Sequence, residues 1–257
     1  MKLRENSVKP RGKKKDIMNS KFAKLFLLII VTVLSTEMSC YSMPSAKKEK
    51  SNNQKEKSLN ILTIGDSNGA LPFGWVYQLK QIITNDTIFN ISISGNTIGF
   101  NNNGRTSLNT LSNIEGYMEK AYAKLGHIDR IIFMIGTNDC KSVFKDSLQV
   151  VPDNMRKLIA EVKKITKLNK NKPLIYIVSP PPFGPDELVG EKYAGGMARV
   201  SQLNKNLELI ANEESVIFIN TCQILEPVFK QLTSDGVHLN ADGQKMIALI
   251  IQENLKY

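Results

Sequence analysis

The chain has 257 residues, 42% of them hydrophobic, enough to bury one sizeable core. Its formal charge of +10 is unevenly placed: residues 1–60 carry 14 Lys and Arg against 5 Asp and Glu, whereas residues 61–257 carry 20 against 19. The part able to fold is therefore nearly neutral, has no basic stripe interleaved with aromatics, and is not expected to bind nucleic acid.

Basic residues up to Lys24 precede an apolar run at 25–34, followed by Ser-Thr-Glu-Met-Ser-Cys at 35–40. That run is too short to span a bilayer, which needs about 20 residues. A positive region, a short apolar core and small residues fit an export signal over 1–39, with Met18 as an alternative start. The stretch ending in Ser39-Cys40 resembles a bacterial lipoprotein signal, in which the cysteine is lipidated and becomes the new N-terminus. Glu37 departs from the aliphatic residue usual three positions earlier, so a lipoprotein, a soluble secreted protein and an uncleaved anchor all stay open. The expectation is an exported protein, foremost a cell-envelope lipoprotein joined to the membrane by a lipid anchor at Cys40, otherwise periplasmic or secreted. Residues 40–58, rich in Lys, Ser, Asn and Gln, are too polar to pack and read as a flexible tether.

Residues 59–64 read as a first strand, stopped by Gly65-Asp66-Ser67-Asn68-Gly69. The flanking glycines let the backbone turn and leave the Ser67 hydroxyl exposed. A helix is expected over 74–84, with Trp75 and Tyr77 packed in the core. A strand at 87–93 runs into Gly95 and an Asn-rich stretch, 101–106, and a helix follows over 108–125. The strand at 129–135 ends at Gly136-Thr137-Asn138-Asp139, and a helix follows over 151–168. The strand at 173–179 ends in three prolines, before a helix at 194–213. The strand at 215–220 precedes Asp235-Gly236-Val237-His238 and a final helix at 241–255. Strands apolar on successive residues, alternating with amphipathic helices, predict an α/β three-layer sandwich: one domain, 59–257, with a five-stranded parallel sheet covered on both faces. In such sheets ligands sit outside the carboxyl ends of the strands, the edge on which Ser67, Gly95, Asn138, Asp235 and His238 all fall.

A serine hydroxyl is a poor nucleophile until a base takes its proton. The chain has two histidines. His127 precedes the third strand, on the opposite edge, and reads as surface or structural. His238 follows Asp235 by three residues, close enough for the carboxylate to accept from one ring nitrogen while the other faces outward. Acyl transfer also needs donors for the developing oxyanion, which the Gly95 backbone and the Asn138 amide can supply. Cys140 and Cys222 read as buried thiols, no His or Cys spacing suggests a metal, and no cofactor is expected.

Together these blocks resemble the SGNH (GDSL-type) hydrolase family. Gly65-Asp66-Ser67-Asn68 matches its first block, Gly95 its second, Gly136-Thr137-Asn138-Asp139 its third and Asp235-Gly236-Val237-His238 its last, in the same order, over residues 59–255. Asn68 stands where the family's name has leucine. The resemblance implies Ser67 as nucleophile, His238 as base and Asp235 as its partner. It also implies an oxyanion hole from the Ser67 and Gly95 N–H groups and the Asn138 side chain, and a flavodoxin-like sheet of order 2-1-3-4-5. Gly65 to Gly69 also satisfies G-x-S-x-G, the elbow of α/β-hydrolases, but there the acid and histidine lie far apart in sequence.

The stretches 101–106 and 178–182 look like the arylesterase and acetylesterase branch, which handles short acyl groups, often acetyl on sugars. Asn68, Arg105 and Asp139 are expected near the substrate, with Arg105 placed either to orient a polar or anionic leaving group or to brace its loop through an ion pair. The expected partner is a glycan or small-molecule ester. A lysophospholipase or thioesterase stays open, as does a non-catalytic glycan-binding lipoprotein, although a binder has no need of Ser67, Asp235 and His238 together. A nucleotide or flavin binder would need a longer glycine loop to cradle phosphate.

Overall fold

Five strands, alternating with helices along the chain, form one parallel sheet in the computed structural model, which describes residues 58–255. The export signal, Cys40 and residues 40–57 of the tether lie outside the described residues. The strands are β1 (Asn60–Gly65), β2 (Thr87–Asn90), β3 (Arg130–Met134), β4 (Leu174–Val178) and β5 (Ile217–Ile219), and the sheet order is β2-β1-β3-β4-β5. Leu62 pairs with Phe89 on one side and Ile131 on the other, which sets β1 at the centre of the crossover. The long helices are α1 (Trp75–Ile82), α2 (Thr110–Leu125), α3 (Val151–Leu168), α4 (Gly196–Glu213) and α5 (Ala241–Asn254).

Alternate residues of each strand feed two separate cores. Leu62, Ile64, Ile131, Phe133, Ile175 and Ile177 pack with α2, α3 and α4, against side chains such as Met118, Ile159 and Leu207. Ile61, Ile132, Met134, Tyr176, Val178 and Ile219 pack with α1 and α5, against Trp75, Leu79, Ile247 and Ile251. A strand buried on both faces has no polar face, which is why these strands are apolar at successive positions. None of the described helices is long and apolar enough to cross a membrane.

Three sequence expectations need adjusting. The strand expected at 87–93 is regular only to Asn90, whose side chain accepts from the Ser92 N–H (2.9 Å) and the Thr63 hydroxyl (3.0 Å), although Ile91 and Ile93 still donate to the Thr63 and Gly65 carbonyls of β1 (2.8 and 3.1 Å). Trp75 is buried as expected, but Tyr77 is 49% exposed on the outer face of α1. Cys140 is buried, whereas Cys222 is only partly so.

Candidate active site

The carboxyl end of β1 runs into a single helical turn, Ser67–Ala70, capped by Asp66, whose carboxylate accepts from the Asn68 N–H at 3.0 Å. This cap sets the Ser67 hydroxyl at the start of the turn, and the Ser67 N–H donates to no protein group among the described residues. The Ser67 Oγ lies 2.9 Å from His238 Nε2, and His238 Nδ1 lies 2.7 Å from Asp235 Oδ2. The acid–histidine segment is not helical. Asp235 Oδ1 accepts from the N–H groups of Val237 (2.9 Å) and His238 (2.7 Å), and Gly236 takes φ +75° to close the turn. A Cβ at Gly236 would lie 2.7 Å from Val189, so the close approach also requires glycine. Burial disfavours the Asp235 charge, but the hydrogen bonds from the His238 ring and from the two N–H groups outweigh it and hold the carboxyl below its usual range.

On the other side of Ser67, Gly95 adopts φ +90° and its N–H also donates to no protein group among the described residues. Its carbonyl accepts from Asn102 Nδ2 at 2.6 Å, and Asn102 Oδ1 accepts from the Lys141 ammonium at 2.7 Å. The Asn138 amide is held at both ends: Nδ2 donates to the Asn96 carbonyl (3.0 Å), and Oδ1 accepts from the Tyr193 hydroxyl (3.0 Å). One Nδ2 hydrogen of Asn138 therefore remains for a ligand. Burial, followed by the charges of Asp66, Asp235 and Cys140, raises the Tyr193 hydroxyl well above its ordinary value, so it stays protonated and can only be aimed as a donor at Asn138.

The structure brings Ser67, Asp235 and His238 together. Asn68 and Asp139 are buried inside the fold and not open to a substrate. Asn68 is fully buried, and its Oδ1 accepts from the Leu239 N–H (3.2 Å) and the Gln244 amide (2.8 Å), tying the serine turn to the histidine loop. Asp139 is also fully buried, and both its oxygens accept from the Ile98 N–H, at 3.0 and 2.9 Å. Burial pushes the Asp139 carboxyl up to about 7, against the pull of the Ile98 and Gly99 N–H groups. It braces the loop that carries Gly95. Arg105 is exposed, and its side chain makes neither a hydrogen bond nor an ion pair among the described residues, so the loop-bracing ion pair is not formed. His127, at the opposite edge, lies 3.1 Å from Asp129 and 3.3 Å from the Asn60 amide, consistent with its structural reading.

Sequence reasoning missed Tyr193, Lys141, Asn102 and Gln244 as individual residues. Asn102 stood in a stretch already singled out, but nothing local marks Tyr193 in Glu191-Lys192-Tyr193 or Gln244 within α5. Cys140 and Cys222 have thiols that burial raises, Cys222 to about 11, so neither is a ready nucleophile at neutral pH. No group of three or more His, Cys, Asp or Glu among the described residues is placed to hold a metal ion.

A doubly wound parallel sheet carrying Ser, His and Asp in hydrogen-bonding sequence at its switch-point edge defines a hydrolase-type α/β protein. The family profile described as GDSL-like Lipase/Acylhydrolase matches residues 62–246, and the chain belongs to this family of SGNH carboxylic ester hydrolases. Among solved structures it is similar to Est24, a carbohydrate acetylesterase from Sinorhizobium meliloti (TM-score 0.62, 21% identity, 77% of this chain and 100% of that one). It is similar to the inhibitor-bound aryl esterase of M. smegmatis (TM-score 0.60, 19% identity, 77% and 100%). A lipase/acylhydrolase from Enterococcus faecalis also shares the fold (TM-score 0.57, 18% identity, 76% and 94%). No match is found among curated proteins.

Proposed function

We propose that this ester hydrolase removes short acyl groups, acetyl foremost, from carbohydrate or small aryl and alkyl esters, and that it works outside the cytoplasm. The observation that carries the reading is the unbroken chain from the Ser67 hydroxyl through the His238 ring to the Asp235 carboxylate, at 2.9 and 2.7 Å. In this reading Ser67 Oγ attacks the acyl carbonyl carbon while its proton passes to His238 Nε2. Asp235 holds the ring in the required tautomer and stabilises the imidazolium. The oxyanion is met by the Ser67 and Gly95 N–H groups and by the remaining Asn138 Nδ2 hydrogen. The tetrahedral intermediate collapses with transfer of the His238 proton to the leaving oxygen. Water then repeats the cycle on the acyl-serine, releasing the carboxylic acid and restoring Ser67.

Short-acyl specificity is supported by the kinship in fold with a carbohydrate acetylesterase and an aryl esterase. The test is a panel of acetylated xylan, pectin, sialoside and peptidoglycan beside p-nitrophenyl esters of graded chain length. Acetate release from at least one glycan and a preference for two-carbon over eight-carbon p-nitrophenyl esters are expected; activity confined to acyl chains of eight carbons or more overturns the specificity. A fluorophosphonate should label the protein at Ser67, and His238→Ala should abolish labelling and lower turnover by several powers of ten. Undiminished labelling or turnover in that variant overturns the assignment of the base.

A further inference from the structure

The loops that follow β2 and β3, with the segment at 191–192 after β4, enclose a cleft of about 600 Å³ lined by Asn101, Asn103, Lys141, Phe144, Glu191 and Lys192, among others. That volume suits a small ligand. Its lining includes an ammonium that no ion pair meets among the described residues. Lys141 is only 3% exposed, yet neither it nor Lys192 forms an ion pair among the described residues. The Lys141 and Lys192 ammonium groups lie 6.0 and 5.4 Å from the centre of the same Tyr193 ring, and the Lys192 charge is felt at Lys141. Glu191 is exposed and pairs with neither lysine, and the buried Asp139 carboxyl, whose charge favours the Lys141 ammonium, bonds the Ile98 N–H and forms no ion pair with it. Desolvation and the nearby Lys192 charge pull Lys141 down to about 8, with Asp139 acting in the opposite direction, so the ammonium persists at neutral pH under electrostatic stress.

A buried ammonium without an ion-pair partner is costly unless something arrives to pair with it. Asn102 Oδ1 takes one of its three hydrogens, which leaves donors for a ligand. The same asparagine donates to the Gly95 carbonyl, so a single side-chain amide spans the gap from the Lys141 ammonium to the peptide proposed to hold the oxyanion. The other wall suits a sugar. Phe144 is stacked on Phe100 (centroids 4.3 Å apart, planes 12° apart) and is half-buried in the cleft, and Asn101 and Asn103 stand beside it.

We propose that this cleft is an anion subsite, and that the ester cleaved is carried on an acidic sugar, its carboxylate or phosphate pairing with Lys141 and Lys192 while the acyl carbonyl meets Ser67. The inference rests on the esterase reading above and narrows its substrate class.

The test compares kcat/KM of the full chain for three acetylated sugars: a methyl glucuronide, a methyl glucoside 6-phosphate and the neutral methyl glucoside. At low ionic strength at least one acidic sugar should exceed the neutral one by 10-fold or more. The larger of the two acidic values identifies carboxylate or phosphate as the group bound. The preference should shrink in 0.5 M NaCl, and it should fall towards unity in Lys192→Gln and in the Lys141→Gln/Lys192→Gln pair. Hydrolysis of all three sugars without preference, hydrolysis of p-nitrophenyl acetate but of none of the sugars, or a preference that survives both substitutions overturns the anion subsite alone. No hydrolysis of any sugar or of p-nitrophenyl acetate overturns the esterase reading and this inference with it.

Discussion

Replacing Tyr193 by phenylalanine removes one oxygen and keeps the ring, so it isolates the hydrogen bond to Asn138 Oδ1 (3.0 Å). That bond sets the Asn138 amide the right way round: with Oδ1 turned to Tyr193, Nδ2 faces the Asn96 carbonyl and the proposed oxyanion position. Without it the amide keeps its bond to Asn96, since a flip would set two oxygens against each other, but it loses its second anchor. Removing an oxyanion donor outright, as in Asn138→Ala, should lower kcat by about 10²–10³. Tyr193→Phe should cost less, about 10-fold, which corresponds to about 1.4 kcal/mol. The loss should fall on kcat with KM little changed, because the interaction matters most when the oxyanion has formed. The stability cost of leaving a buried carbonyl unpaired is about 1–3 kcal/mol, so assays are run well below the melting temperature. Initial rates on p-nitrophenyl acetate for wild type, both single variants and the double variant complete a cycle. If Tyr193 acts through Asn138, the double variant is no slower than Asn138→Ala. An unchanged kcat in Tyr193→Phe, or losses that multiply in the double variant, refutes the reasoning.

Two further outcomes concern buried polar residues. Asn68→Ala leaves the Leu239 N–H and the Gln244 amide without their shared acceptor, so urea denaturation should show a loss of about 1–3 kcal/mol or more, together with a lowered kcat as the histidine loop loosens; wild-type stability would show that the tie does not matter. Asp139, raised to about 7 from 3.8, keeps its proton in the folded chain after the unfolded chain has released it. Its contribution to stability is thus present below about pH 4 and is lost as pH rises through about 7. Relative to Asp139→Asn, the wild type should lose up to about 1.4 kcal/mol per pH unit across that window; parallel urea midpoints for the two proteins would contradict it.

Much of the architecture was legible because it depends on near neighbours. The apolar runs and the amphipathic helices between them follow from a period that each segment carries in itself, and the parallel order 2-1-3-4-5 came with the family resemblance carried by the motif blocks. The meeting of Ser67, Asp235 and His238 was legible for a related reason: parallel strands send all their carboxyl ends to one edge, so motif position along the chain translates into position in space. The end of β2 was harder to foresee, since it is marked by side-chain bonds of Asn90 to Ser92 and to Thr63 on the adjacent strand.

The amino-acid sequence by itself determined the layered α/β class, the family and which loops meet at one edge, since these depend on local periodicity and on glycine and polar residues at strand ends. Only the tertiary structure decided what the individual polar side chains around that edge do. Asn68 and Asp139 looked like substrate neighbours and are internal braces, while Tyr193 and Lys141 bore no mark, yet Tyr193 bonds the Asn138 amide and Lys141 bonds the asparagine, Asn102, that holds the Gly95 carbonyl. Their partners lie 39 to 176 residues away along the chain. Which of several buried donors and acceptors pair across such separations is settled by close packing and by the cost of leaving any of them unpaired, and no local pattern records that outcome.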